Sequence, residues 1–234
     1  MKSAVLVLTS LLASGTWAHS AQSKKLVPPP LRQSETSEGA SQKRATTSGQ
    51  GVFQQLLDHN DASLGTFNQS FWWSSEYWQG PGSPVVFFTP GEIAAEEYTG
   101  YLTNETITGL FAQAIGGAVV MMEHRYWGDS SPYSVLTTEN LTYLTLENAI
   151  YDTTYFANTV DLPFDSNGSS NAGNAPWVFS GGSYSGALSA WVESVAPGTF
   201  WAYHASSAVV EAVYDFVSPA HKSLLKSSLQ ARTR

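Results

Sequence analysis

The stretch Trp177-Val-Phe-Ser-Gly-Gly-Ser-Tyr-Ser-Gly-Ala-Leu-Ser-Ala-Trp191 constrains this chain more than any other. It opens on a short apolar run, Trp177 to Phe179, which is the pattern of a buried strand. Small and apolar residues from Ala187 to Val195 follow, which is the pattern of a helix. Between them lie Gly181, Gly182, Ser183, Tyr184, Ser185 and Gly186. A strand that turns sharply into a helix through glycines, with one serine at the apex, is the layout of a nucleophile elbow. The turn holds the hydroxyl clear of the backbone, and the helix N-terminus offers N–H groups to a developing oxyanion. Ser183 is therefore the candidate nucleophile, and the N–H of Tyr184 a candidate oxyanion donor. The spacing departs from G-x-S-x-G at its fifth position, where Ser185 stands and Gly186 comes one later. A Gly/Ser-rich surface turn uses the same small residues. The apolar flank Trp177-Val178-Phe179 favours the elbow.

The surrounding pattern is that of an α/β protein. Phe71-Trp72-Trp73 and Tyr77-Trp78, followed by Gly80-Pro81-Gly82, predict an early strand and turn. Val85 to Phe88 is a continuous apolar run between prolines and predicts a buried strand. In the loop Thr89-Pro90-Gly91-Glu92, Gly91 is the candidate for a second oxyanion N–H, because α/β hydrolases take one donor from the loop after such a strand. A plain turn suits these residues equally. A helix is expected over 107–115, ended by Gly116-Gly117, then a strand over 118–122 and a helix over 144–160. A further strand is expected over 200–210. This strand–helix–strand rhythm predicts parallel strands joined by crossovers.

Three segments carry a resemblance: Phe53-Gln-Gln-Leu-Leu-Asp-His59, Glu123-His-Arg-Tyr-Trp-Gly128, and Ser180-Gly-Gly-Ser-Tyr-Ser-Gly-Ala-Leu-Ser-Ala-Trp191. In this order, over about residues 50–215, they resemble the proline-specific serine peptidases. That family holds lysosomal prolyl carboxypeptidase, dipeptidyl peptidase II and the fungal acid prolyl endopeptidases. Ser185 in place of glycine looks most like the fungal secreted members. The resemblance implies an α/β-hydrolase fold, a Ser-Asp-His triad with Ser183 as its serine, proline-containing peptides as substrates, and no cofactor. It also implies that this chain is the N-terminal part of a longer pattern, truncated after the elbow helix and the following strand.

The remaining triad members are not found in this chain. After Ser183 come His204, Asp215 and His221. In this fold the acid precedes the base, and each follows its own later strand. A crossover of about 30 residues should separate them. Asp215 and His221 are too close in sequence for that, and His204 precedes Asp215. On this reading 1–234 is an inactive fragment of a serine peptidase. The alternatives are a lipase or esterase sharing the elbow, and a non-catalytic pseudoenzyme fragment.

The ends differ in character. Residues 1–18 read as a secretory signal, with Lys2, an apolar run from Ala4 to Ala13, and a cleavage site at Thr16-Trp17-Ala18. That run is shorter than the ~20 residues of a membrane span. Residues 19–44, with Pro28-Pro29-Pro30 and the dibasic Lys43-Arg44, read as a propeptide cut after Arg44, or as an arm that stays attached. Residues 45–216 are then the catalytic-domain part, and 217–234 a non-homologous tail. Sequons at Asn68, Asn104, Asn140 and Asn167 fit a secreted or vacuolar-lysosomal glycoprotein. There is no cysteine, and the five histidines show no metal spacing. No basic patch or phosphate loop points to nucleic acid, and the oligomeric state stays open.

Charge narrows the reading further. From Ala45 to His221 the chain has seventeen Asp and Glu and a single cation, Arg125. Repulsion among these carboxylates relaxes as they protonate, which suits work in acid and equally suits solubility on secretion. One permanent cation among so many acids predicts that Arg125 pairs with a carboxylate in a structural role beside Glu123 and His124.

Overall fold

The computed structural model describes residues 47–211 of the 234. The expected signal, propeptide, tail, Asp215 and His221 lie outside the described residues. The chain runs β1 (Ser48–Leu56), β2 (Thr66–Ser74), β3 (Val85–Phe88), α1 (Ile107–Ile115), β4 (Ala118–Met122), α2 (Leu146–Thr159), β5 (Trp177–Gly182), α3 (Tyr184–Val195) and β6 (Ala202–Ser206). The six strands form one sheet in the order β1-β2-β4-β3-β5-β6. Strands β3 to β6 are parallel and take helical crossovers. β1 and β2 are antiparallel, so the sheet is mixed rather than wholly parallel. This is the expected α/β-hydrolase arrangement of strand, elbow and helix.

Strands β3 and β4 are buried on both faces, which is why they read as unbroken apolar runs. On one face Phe87, Val120, Trp177 and Phe179 pack with Phe156 of α2 and with Leu188 and Val192 of α3. On the other, Val86, Phe88, Val119 and Met121 pack with Ala112 of α1 and with Tyr98. α1 has an unexpected orientation. It buries Thr108, Gly109 and Ala112 against the sheet and exposes Ile107, Leu110 and Ile115. Small residues let the helix axis lie close to the strands, which the apolar periodicity alone did not foretell.

Several boundaries shift. α3 begins at Tyr184, directly after the serine, and β5 runs through both glycines to Gly182. The strand expected over 200–210 is confined to Ala202–Ser206. β1 was not anticipated as a strand, because it buries the polar Gln55 against Gln69 of β2 (Nε2 to Oε1, 2.9 Å) and so breaks the apolar alternation.

Candidate active site

The apex of the elbow is strained. Ser183 has φ 57° and ψ −125°, a backbone conformation that costs a β-carbon-bearing residue on the order of 1–3 kcal/mol. It sits at the N-cap of α3, yet its side chain caps nothing. No side chain among the described residues bonds its hydroxyl. The Ser183 N–H donates to Ser206 O of β6 at 3.0 Å, which ties the apex to the neighbouring strand. The first-turn amides of α3 lack intrahelical acceptors and form the positive end of the helix dipole. The Tyr184 N–H is the first of them.

The odd spacing of the glycines has a steric cause. A β-carbon on Gly181 would lie 2.1 Å from Ser185 O, and one on Gly186 would lie 2.7 Å from Ser206 O. Gly182 has open space around it. The close approach of helix to strand therefore falls on Gly181 and Gly186. Ser185 can stand at the fifth position, where its buried hydroxyl has no partner among the described residues. Gly91 lies against the elbow from the loop after β3. It has φ +85°, and a β-carbon there would touch the Tyr184 ring at 3.3 Å, with Ser185 N at 3.9 Å. Its own N–H reaches Thr89 Oγ1 at 3.3 Å, a long bond that a better acceptor would displace.

Beneath the elbow the two other motif segments converge. Arg125 is wholly buried, and all five guanidinium donors are used. Nε and Nη2 donate to the two carboxylate oxygens of Asp152, each at 2.6 Å. Nη1 donates to Leu57 O and Tyr143 O, and Nη2 also to Leu56 O. The guanidinium lies 5.4 Å from the Phe67 ring centroid. His59 Nε2 stands 2.8 Å from Asp152 Oδ1. The expected carboxylate partner of Arg125 is thus Asp152 of α2, which sequence proximity had not identified. Glu123 is buried and accepts from Ala95 N–H (2.8 Å), Asp129 N–H (3.1 Å), Ser130 N–H (3.1 Å) and Ser130 Oγ (2.7 Å). Gly128 has φ 54°, and a β-carbon there would fall 2.0 Å from Glu123 Oε1. That accounts for the glycine ending the segment.

His124 joins this base to the elbow. Its Nδ1 is 2.8 Å from Arg125 O, and its Nε2 is 2.8 Å from Tyr184 Oη. Burial pushes the His124 pKa below the usual histidine range, and burial pushes the Tyr184 phenol up, with Glu92 adding to the rise. The sequence reading had no role for the Tyr184 side chain. The signal was present only as two motif segments that meet in space.

The other candidates are dispersed. His204 on β6 has Nδ1 3.0 Å from Ser180 Oγ and its ring edge-on to Phe111, and it bonds no carboxylate among the described residues. Asn68, Asn104 and Asn167 are exposed, whereas Asn140 is half-buried and donates Nδ2–H to Val135 O at 2.8 Å. Among the described residues no helix is long and apolar enough to cross a membrane.

Comparison with known proteins decides the family. The family model described as serine carboxypeptidase S28 matches residues 55–233. The chain belongs to the serine carboxypeptidase S28 family. The match to this S28 chain runs through residues 217–233, the stretch read from sequence as a tail. Serine protease vicPa of Bipolaris victoriae is 53% identical over 169 residues, covering 72% of this chain and 32% of that protein. "Probable extracellular serine carboxypeptidase" of Arthroderma benhamiae is 33% identical over 150 residues, 64% of this chain and 21% of that protein. Human thymus-specific serine protease is 32% identical over 171 residues, 71% of this chain and 31% of that protein. The S28 chain thus spans about a third of the length of vicPa.

Proposed function

We propose that this chain is the nucleophile-bearing part of a secreted serine peptidase that cleaves at proline residues in acid. The observation that carries the reading is Ser183: a strained apex at the N-cap of α3 whose hydroxyl is unbonded among the described residues. Ser183 attacks the scissile carbonyl, and the acyl-enzyme forms on its Oγ as the amine leaves. The N–H of Tyr184 and the N–H of Gly91 hold the oxyanion. Buried, preorganised donors of this kind are each worth about 10²–10³ in rate.

The attack needs a base, and no histidine among the described residues reaches Ser183. The acid and base are assigned to sequence outside the described residues. An extracellular relative, four sequons and a leader-like N-terminus support secretion of a glycoprotein matured near Ala45. The excess of carboxylates supports an acid optimum, and the family resemblance supports proline-containing peptides as substrates.

A fluorophosphonate probe tests the reading on the complete protein. Labelling and hydrolysis of a proline-containing peptide should vanish together in Ser183→Ala. Hydrolysis surviving in Ser183→Ala rejects Ser183 as the nucleophile.

A further inference from the structure

We propose that His124 is the positioning residue of the elbow, fixing Tyr184 through its ring so that the Tyr184 N–H meets the oxyanion. This deepens the peptidase reading and rests on it.

For the neutral imidazole, which burial favours, the hydrogen-bond chemistry leaves one arrangement. A carbonyl oxygen only accepts, so the Nδ1 facing Arg125 O at 2.8 Å carries the proton. Nε2 is then a bare acceptor, and the Tyr184 hydroxyl donates to it at 2.8 Å. Both ring nitrogens are used within the protein, so the ring has no proton to exchange with a substrate. Its task is orientation. The ring is held in turn: Trp127 packs edge-on at 5.0 Å and Tyr184 at 5.4 Å between centroids. The Arg125 carbonyl that receives Nδ1–H belongs to a residue whose side chain is fully bonded.

The two residues at the apex are therefore held from both sides. Ser183 is tied through its backbone to β6, and Tyr184 through its phenol to His124. Releasing the phenol frees the first residue of α3 to turn, and with it the N–H that must point at the oxyanion. The charged groups around the pair are Arg125 and Asp152 beside His124, and Glu92 toward Tyr184. Burial of both partners favours the uncharged O–H···N pair.

The test uses the complete protein and four variants: Tyr184→Phe, His124→Phe, His124→Gln, and Tyr184→Phe with His124→Phe. kcat and KM are measured on a proline-containing peptide, with the affinity for a peptide boronate that mimics the tetrahedral state. Misplacement of a donor lowers rate without loss of ground-state binding. Tyr184→Phe and His124→Phe should each lower kcat about 10- to 100-fold and weaken the boronate in parallel, with KM within about twofold. The double variant should be no worse than the poorer single. His124→Gln keeps an acceptor for the phenol and should recover most of the rate. Unchanged kcat in Tyr184→Phe, multiplying losses in the double variant, or no recovery in His124→Gln each overturns the proposal. Hydrolysis surviving Ser183→Ala in the same assay overturns the peptidase reading itself.

Discussion

Replacing Arg125 with methionine should destabilise the fold far more than an ordinary core substitution. The aliphatic stem survives, but the guanidinium and its five hydrogen bonds do not. Asp152, 2% exposed, loses two bonds of 2.6 Å and becomes an unpaired buried charge apart from His59. Removing one partner of a buried ion pair costs about 3–5 kcal/mol. The carbonyls of Leu56, Leu57 and Tyr143 lose a donor as well, each worth up to about 1 kcal/mol. We expect a loss of at least about 4 kcal/mol, a large part of the 5–15 kcal/mol of a typical domain. At 2–4 °C per kcal/mol for a domain of this size, the Tm should fall by about 8–16 °C. Urea unfolding followed by tryptophan emission gives the number directly. Arg125→Lys should recover little, because an ammonium cannot bridge both carboxylate oxygens and three carbonyls from one planar fork. Combining Arg125→Met with Asp152→Leu should recover part of the loss by removing the orphaned charge. A single-variant loss under about 1 kcal/mol, or a double variant as unstable as the sum of its singles, would refute the reasoning.

Three further outcomes follow from the geometry. Gly182→Ala should leave folding and probe labelling intact, whereas Gly181→Ala and Gly186→Ala should abolish labelling, as measured on equally expressed protein. Burial depresses the His124 pKa, so the unfolded chain takes up this proton at higher pH than the folded one. Its contribution to stability is full above about pH 6.5 and lost as pH falls toward the depressed folded value, at no more than about 1.36 kcal/mol per pH unit. The stability gap between wild type and His124→Gln should accordingly narrow from pH 7 to pH 5, and an unchanged gap in urea midpoints counts against it. Protein recovered from the medium should begin near Ala45 by N-terminal sequencing and lose mass on enzymatic deglycosylation, and a start at His19 would contradict propeptide removal.

Legibility in the sequence followed the kind of contact involved. β3, β4 and α1 could be bounded from sequence because their signals are local: an apolar run between prolines, another after paired glycines, a helix closed by Gly116 in the left-handed conformation. The sharp turn from β5 into α3 was legible because the close approach of helix and strand needs small residues at fixed offsets. β1 was not, since Gln55 and Gln69 are buried and satisfy each other across two strands. Asp152 looked like one acid among many, and nothing short of the fold brings it to Arg125 across 27 residues. Likewise Tyr184 and His124, sixty residues apart, are joined only by the parallel pairing that sets β4 and β5 on either side of β3.

The placement of Arg125 also decides how the protein meets other proteases. Trypsin-like enzymes cut after Lys or Arg, and between Ala45 and His221 the sequence offers them one bond, Arg125–Tyr126. That residue has no accessible surface. In a medium rich in such enzymes the folded body offers nothing to cut, and cleavage there waits on unfolding. One scission at a single known bond thus becomes a clock for the opening of the core.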